Sequence, residues 1–226
     1  MKTLLACATL AIALVHAQDS NVSSRPAGPI RWAEGAPNAT SDVKNDAKIE
    51  GLKTDDVHIY VSLADIKETE YNRVWVQVSN HSKSAMDFDP QAAILLNGDK
   101  TVRAEVPDKA AHNIQKFGEA KSQELASAHC NQMMTNPTMS PNNAACQPTN
   151  TQMQMSKQVL TFSNQQAQWV RDNGLVKKEL APDHEIQGAV VFKKDKKKAD
   201  YILKIQVGSQ TFEFPLSAQN KAPSYD

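Results

Sequence analysis

Five of the seven methionines, Met133, Met134, Met139, Met153 and Met155, fall within residues 133–155, with His129 and Cys130 at the near edge. Thioether sulfur is a soft donor that suits Cu(I) or Ag(I), and this is the chemistry the cluster could perform. Met153 and Met155 could present two sulfurs on an extended stretch, but on a helix they would not face each other. The repeated Met-x-x-Met spacing is missing. Two other uses stand beside metal binding. Met155 can be core on a helix with the rest soft filler under a loop, or the group can be an apolar contact for a partner. Cys130 and Cys146 are the other reactive pair. Beside His129, Cys130 could ligate a metal or act as a nucleophile. An even pair in an exported chain is most simply a disulfide, and a redox-active pair usually has two intervening residues. Such a bridge closes a short loop, worth about 3 kcal/mol in the chain-entropy model.

The remaining chemical groups have ordinary uses. Lys193-Lys-Asp-Lys-Lys-Lys198 joins two strand-like runs and reads as an exposed loop, with anionic surfaces as its other possible contact. Asp183-His184-Glu185 groups three titratable residues that point different ways in a turn. His58, His81 and His112 stand as lone residues. Gly-x-Ser-x-Gly, His-Glu-x-x-His, phosphate-cradling and Rossmann signatures are missing. The sequence therefore predicts a non-enzymatic protein with no cofactor and no assigned metal site.

Residues 1–17 read as a cleaved export signal: Lys2, an apolar run from Leu4 to Val15, then Val15-His16-Ala17 before Gln18. The run is shorter than the ~20 residues that span a bilayer, so no transmembrane anchor is expected after cleavage. Cys7 would leave with the signal. A periplasmic, envelope or secreted location follows. Lys plus Arg and Asp plus Glu are both 25, which argues against nucleic acid as the ligand. The expected partner is an envelope or extracellular protein. Asn21, Asn38 and Asn80 each begin a glycosylation sequon, which matters only in a eukaryotic host; the signal does not decide the kingdom, and the chain leans bacterial.

Residues 18–52 are rich in small and polar types and are expected as a flexible leader, with Ile30 and Trp32 as candidates to dock. Two-residue alternation marks strands at Val57–Leu63 and Val74–Val78, then at Met86–Phe88, Ala92–Leu96 and Thr101–Ala104, the last two joined by an Asn97-Gly98 turn. The period then becomes helical. Ile114, Phe117, Leu125 and Ala128 predict a helix from an Asp108 N-cap to about His129, with Gly118 weakening its middle by ~1 kcal/mol. Met155, Val159, Phe162 and Trp169 predict a second from about Gln154 to Asp172. Strands resume at Ile186–Phe192, Tyr201–Val207 and Thr211–Leu216.

Asn72-Arg-Val-Trp-Val-Gln-Val-Ser-Asn80, Met86-Asp-Phe-Asp-Pro90 and Leu180-Ala-Pro-Asp-His-Glu-Ile-Gln-Gly188-Ala-Val-Val-Phe192 together resemble a family of exported immunoglobulin-like domains, mostly in uncharacterised bacterial proteins. The family's Pro-Gly-Glu-type turn is here Pro182-Asp-His-Glu185, and a helical hairpin is added. The resemblance implies binding or support in the envelope and carries over no functional residue. The expected fold is mainly β with a helical insertion (α+β): an antiparallel immunoglobulin-like sandwich of about seven strands over residues 53–218. A helical hairpin, stapled by Cys130–Cys146, is inserted at about 107–174, and residues 219–226 form a polar tail. The hairpin with its methionine-rich loop is the expected contact surface, and a periplasmic Cu(I)/Ag(I) binder is the alternative.

Overall fold

Val74, Val76 and Val78 have no exposed surface, while Arg73, Trp75 and Gln77 between them are half-buried on the other face. That alternation belongs to the central strand of a computed structural model that describes residues 28–44, 47–65, 70–134, 148–194 and 200–216. The strands are β1 (Ile30–Arg31), β2 (Ala39–Lys44), β3 (Ala47–Lys53), β4 (Val57–Asp65), β5 (Tyr71–Asn80), β6 (Met86–Phe88), β7 (Ile94–Asn97) and β8 (Lys100–Glu105). Helices α1 (Pro107–Met134) and α2 (Asn150–Asn173) follow, then β9 (Lys178–Leu180), β10 (Glu185–Lys193), β11 (Tyr201–Val207) and β12 (Gln210–Leu216). The fold is mainly β with a helical insertion, as the sequence predicts.

Paired strands run in one continuous path, β1-β12-β11-β7-β8-β10-β5-β4-β3-β2, with β6 pairing β11 and β9. The path bends at β8. Its first residues pair with β7, and only Ala104 and Glu105 pair with β10. The sheet thereby curls, and both of its arms contribute to one apolar cluster. Ile59, Val76, Val78 and Phe192 come from one arm, and Leu95, Leu203, Ile205, Phe212 and Phe214 from the other. Each fully buried side chain of this kind contributes about 1.5–3 kcal/mol. The strands after the helices complete the sheet begun before them, since β10 pairs β5 and β11 pairs β7.

Five expectations change. The predicted leader at 18–52 contains three strands from Ile30 onward, and Leu52 is fully buried. Trp32 packs against the core, donates its indole N–H to the Thr40 carbonyl at 3.0 Å, and carries Lys48 over its ring at 4.7 Å. The strand count exceeds seven, and β1 pairs β12 in parallel, so the sheet is mixed rather than purely antiparallel. Finally, α1 begins at Pro107, leaving Asp108 inside the first turn, because proline's missing N–H is harmless there. The start of α2 moves to Asn150, where Thr149 and Gln152 close a capping box.

Asn80 fixes one end of the barrel-like curl. It has no exposed surface, donates to the carbonyls of Leu180 and Ser84, and accepts from the Ser82 amide and hydroxyl. Its backbone holds the Pro182–His184 turn through bonds to Asp183 and His184. Asp183 adopts φ 56° there, a left-handed conformation that aspartate tolerates better than most residues.

The hairpin of α1 and α2 lies on the outward face of β5 and β10. Ala110, Ala111, Ile114, Ala167 and Val170 bury against Tyr71 and Val191. Beyond this root the helices contact each other through small residues. The Ser156 hydroxyl donates to the Ser122 carbonyl at 3.0 Å, and a Cβ on Gly118 would collide with Ser163. Gly118 is thus required by close helix approach. Gly118→Ala, which propensity alone would favour by ~1 kcal/mol, is expected to destabilise by about 1–3 kcal/mol through overpacking. Denaturant unfolding checks the sign.

Candidate functional site

The predicted contact residues divide between α1, α2 and positions outside the described residues. His129, Cys130, Met133 and Met134 belong to the last turns of α1, with no side-chain geometry described. Met139 and Cys146 lie outside the described residues, and with them the Cys130–Cys146 bridge. Met153 and Met155 sit on α2 with 41% and 42% of their surface exposed, which removes Met155 from the core. Two helical positions turn side chains about 200° apart, so these sulfurs do not converge. Of the five methionines, Met153 and Met155 alone have described side chains, and these two point apart.

The other sequence candidates resolve individually. Lys193 ends β10 beside Glu70 at 3.9 Å; residues 195–199 of the lysine run lie outside the described residues. His184 bonds its own turn through Nδ1 and the Pro182 carbonyl at 2.9 Å. His58 and His81, read as isolated, have ring centroids 4.1 Å apart. Burial first, and then His81 and Lys53, push the His58 imidazole below its ordinary value. Among the described residues no group of three or more His, Cys, Asp or Glu is placed to hold a metal ion. Among the same residues no helix is long and apolar enough to cross a membrane.

Two open cavities lie on outward faces of the sheet. One, about 330 Å³, is lined by Arg31, Trp32, Leu96, Ile202, Lys204, Glu213 and Pro215. Its charges satisfy one another. Glu213 meets Arg31 at 2.8 Å and Lys204 at 2.6 Å across β1, β12 and β11. Burial raises the Glu213 carboxyl, but the bonds and charges of Lys204 and Arg31 outweigh it and hold the carboxyl low. This row ties β1 to the sheet.

The other cavity, about 390 Å³, is a groove over β3, β4, β5 and β10. Tyr60, Gln77 and Gln187 face one another in one cross-strand row, and Ser62, Trp75 and Ala189 in the next. Outward alternation puts all of them on the hairpin side of the sheet. The Tyr60 ring edge lies over Gly51, where a Cβ would come within 2.6 Å of it. Trp75 is held from the side by Trp169 of α2, centroid to centroid 6.3 Å. Trp169 in turn covers the Arg73 guanidinium at 4.2 Å, and burial pushes that guanidinium below its ordinary value. The side-chain amides of Gln77 and Gln187, and the hydroxyls of Tyr60 and Ser62, have no protein partner among the described residues. Lys44 stands at one end as the groove's charged side chain. Among the described residues that line it, the groove offers aromatic faces and neutral hydrogen-bonding groups beside Lys44.

In the sequence, Tyr60, Ser62, Trp75 and Gln77 fall on the free side of alternating strands, and nothing assigns Gln187 or joins the four into a site. The available signal was the placement of Tyr60 and Trp75, two large aromatics, on that side. No family model and no curated protein matches the chain. A crystal structure of the yjhA protein from Bacillus subtilis is similar at 8% identity over 74% of this chain and 96% of that one, with a TM-score of 0.39.

At the hairpin root, the Tyr71 hydroxyl donates to Glu105 at 2.8 Å and accepts from Asn113 at 3.0 Å, with Lys109 3.6 Å from the same carboxylate. Burial first, with Glu105 adding to it, pushes the phenol up to about 12. The folded state holds this proton more tightly than the unfolded chain. Its contribution is therefore whole below pH 10 and is lost as pH rises through about 12. A phenolate absorbance titration should show one late tyrosine that disappears in Tyr71→Phe. Tyrosines that all titrate together would contradict it.

Trp169→Ala strips the cover from Arg73 and the side support from Trp75. A loss of about 2–4 kcal/mol is expected, with earlier proteolysis of α2 than of the strands.

Proposed function

We propose that this chain is an exported, non-enzymatic binding module built on an immunoglobulin-like sandwich. What supports the sandwich reading is the curl of the sheet. The two arms of the curled sheet, β2-β3-β4-β5-β10-β8 and β7-β11-β12-β1, enclose one apolar cluster as the two layers of a sandwich do, with the hairpin inserted between β8 and β9. What supports export is the residue pattern at 1–17. The observation that carries the binding role is the groove of Tyr60, Trp75, Gln77 and Gln187. It combines aromatic surface with unpartnered neutral polar groups, and it stands where the hairpin braces it.

This moves the contact surface from the methionine-rich loop to the outward sheet face at the hairpin root. The partner is an envelope or extracellular component.

Hydroxyl-radical footprinting tests this. The protein is oxidised in the compartment of the cells that make it and again after purification. Tyr60 and Trp75 are expected to be protected in place, while Trp32 at the other cavity reacts equally in both. Equal oxidation of Tyr60 and Trp75 would remove the groove as the contact.

A further inference from the structure

We infer that the Tyr60–Trp75 groove is a subsite for a neutral saccharide; this rests on the binding reading above and names its ligand class. Three features choose among occupants. The first is the pair Gln77 and Gln187, directly opposite on β5 and β10. Facing residues of an antiparallel pair stand about 5 Å apart at Cβ. Each amide offers both a donor and an acceptor. Two such amides side by side match neighbouring ring hydroxyls, which also donate and accept. The second is the pair of aromatic side chains. Tyr60 is turned over Gly51 and Trp75 is braced by Trp169, so both rings are positioned before any ligand arrives. A pyranose has an apolar C–H face that can lie on such a ring while its hydroxyls point outward.

The third is charge and position. Nucleic acid needs a cationic surface, and among the described lining residues Lys44 alone is charged. A peptide strand would seek free backbone N–H and C=O groups at a sheet edge. The groove instead lies on the face of β4, β5 and β10, whose backbones are already paired to each other. A neutral ring compound rich in hydroxyls meets every one of these conditions. The volume, about 390 Å³, falls in the usual range for ligand clefts of about 300–1,000 Å³.

Native affinity electrophoresis of residues 18–226 decides the matter. The gels contain neutral soluble polysaccharides (β-glucan, xylan, mannan) or acidic ones (alginate, pectate). We expect retardation in at least one neutral gel, unaffected by salt. Gln187→Ala, at an exposed position, and Trp75→Ala should each weaken it roughly tenfold. Ile202→Ala, at the opposite cavity, should leave it unchanged. No retardation in any neutral gel overturns the proposal, as does retardation that both groove variants retain. Retardation confined to acidic gels and abolished by salt also overturns it. If the saccharide proposal fails while Tyr60 and Trp75 remain protected in the cellular compartment, the binding reading stands with another ligand. If protection is also missing, both fall.

Discussion

The pairing of β5 with β10 is the constraint on which the rest depends. Nine residues of each strand match in register, and each face of the pair is packed over at least part of its length. Inward, Val74, Val76 and Val78 meet the far arm of the curled sheet. Outward, Tyr71, Arg73 and Trp75 meet the helical hairpin. β5 precedes the hairpin and β10 follows it, so the insertion is closed off by the same ladder it rests upon. A slip of one residue would exchange the two faces and put Arg73 among the valines.

That ladder also explains why the hairpin is firmly rooted and otherwise lightly packed. Its apolar burial is concentrated at Ala110, Ala111, Ile114, Ala167 and Val170, close to the strands. Farther out, Gly118, Ser122, Ser156 and Ser163 set the helix spacing. The stack of Trp75, Trp169 and Arg73 marks the boundary between these regions. It links the groove to α2, so the orientation of an outward tryptophan is tied to how the helices sit.

Much of the fold was readable in the residues. Alternation located β4, β5, β10, β11 and β12, and helical spacing located both helices. A hairpin forms where Asn97-Gly98 predicts one, but one residue later, with Asn97 paired to Lys100 and Gly98-Asp99 at its centre. β2 was not readable, because it is an edge strand whose Thr40, Ser41, Asp42 and Lys44 are all exposed and show no apolar alternation. β1 was hidden for another reason. Two residues are too short to carry a period, and its place depends on Glu213, far along the chain. The groove was not readable because it is a product of register. Residues 60, 77 and 187 become neighbours only once β4, β5 and β10 are aligned. Local enrichment instead drew attention to the methionines, of which Met153 and Met155 stand exposed on α2 and point apart.

Asn80 has a practical consequence. Its side-chain nitrogen is the atom an oligosaccharyltransferase would modify, and it is also the atom that ties Leu180 to Ser84. The two uses exclude each other. Made in a eukaryotic secretory host, the chain would divide at this residue. Molecules that close the turn first keep the amide out of reach, and molecules modified first cannot close it. The choice of expression system thus decides whether a preparation is uniform.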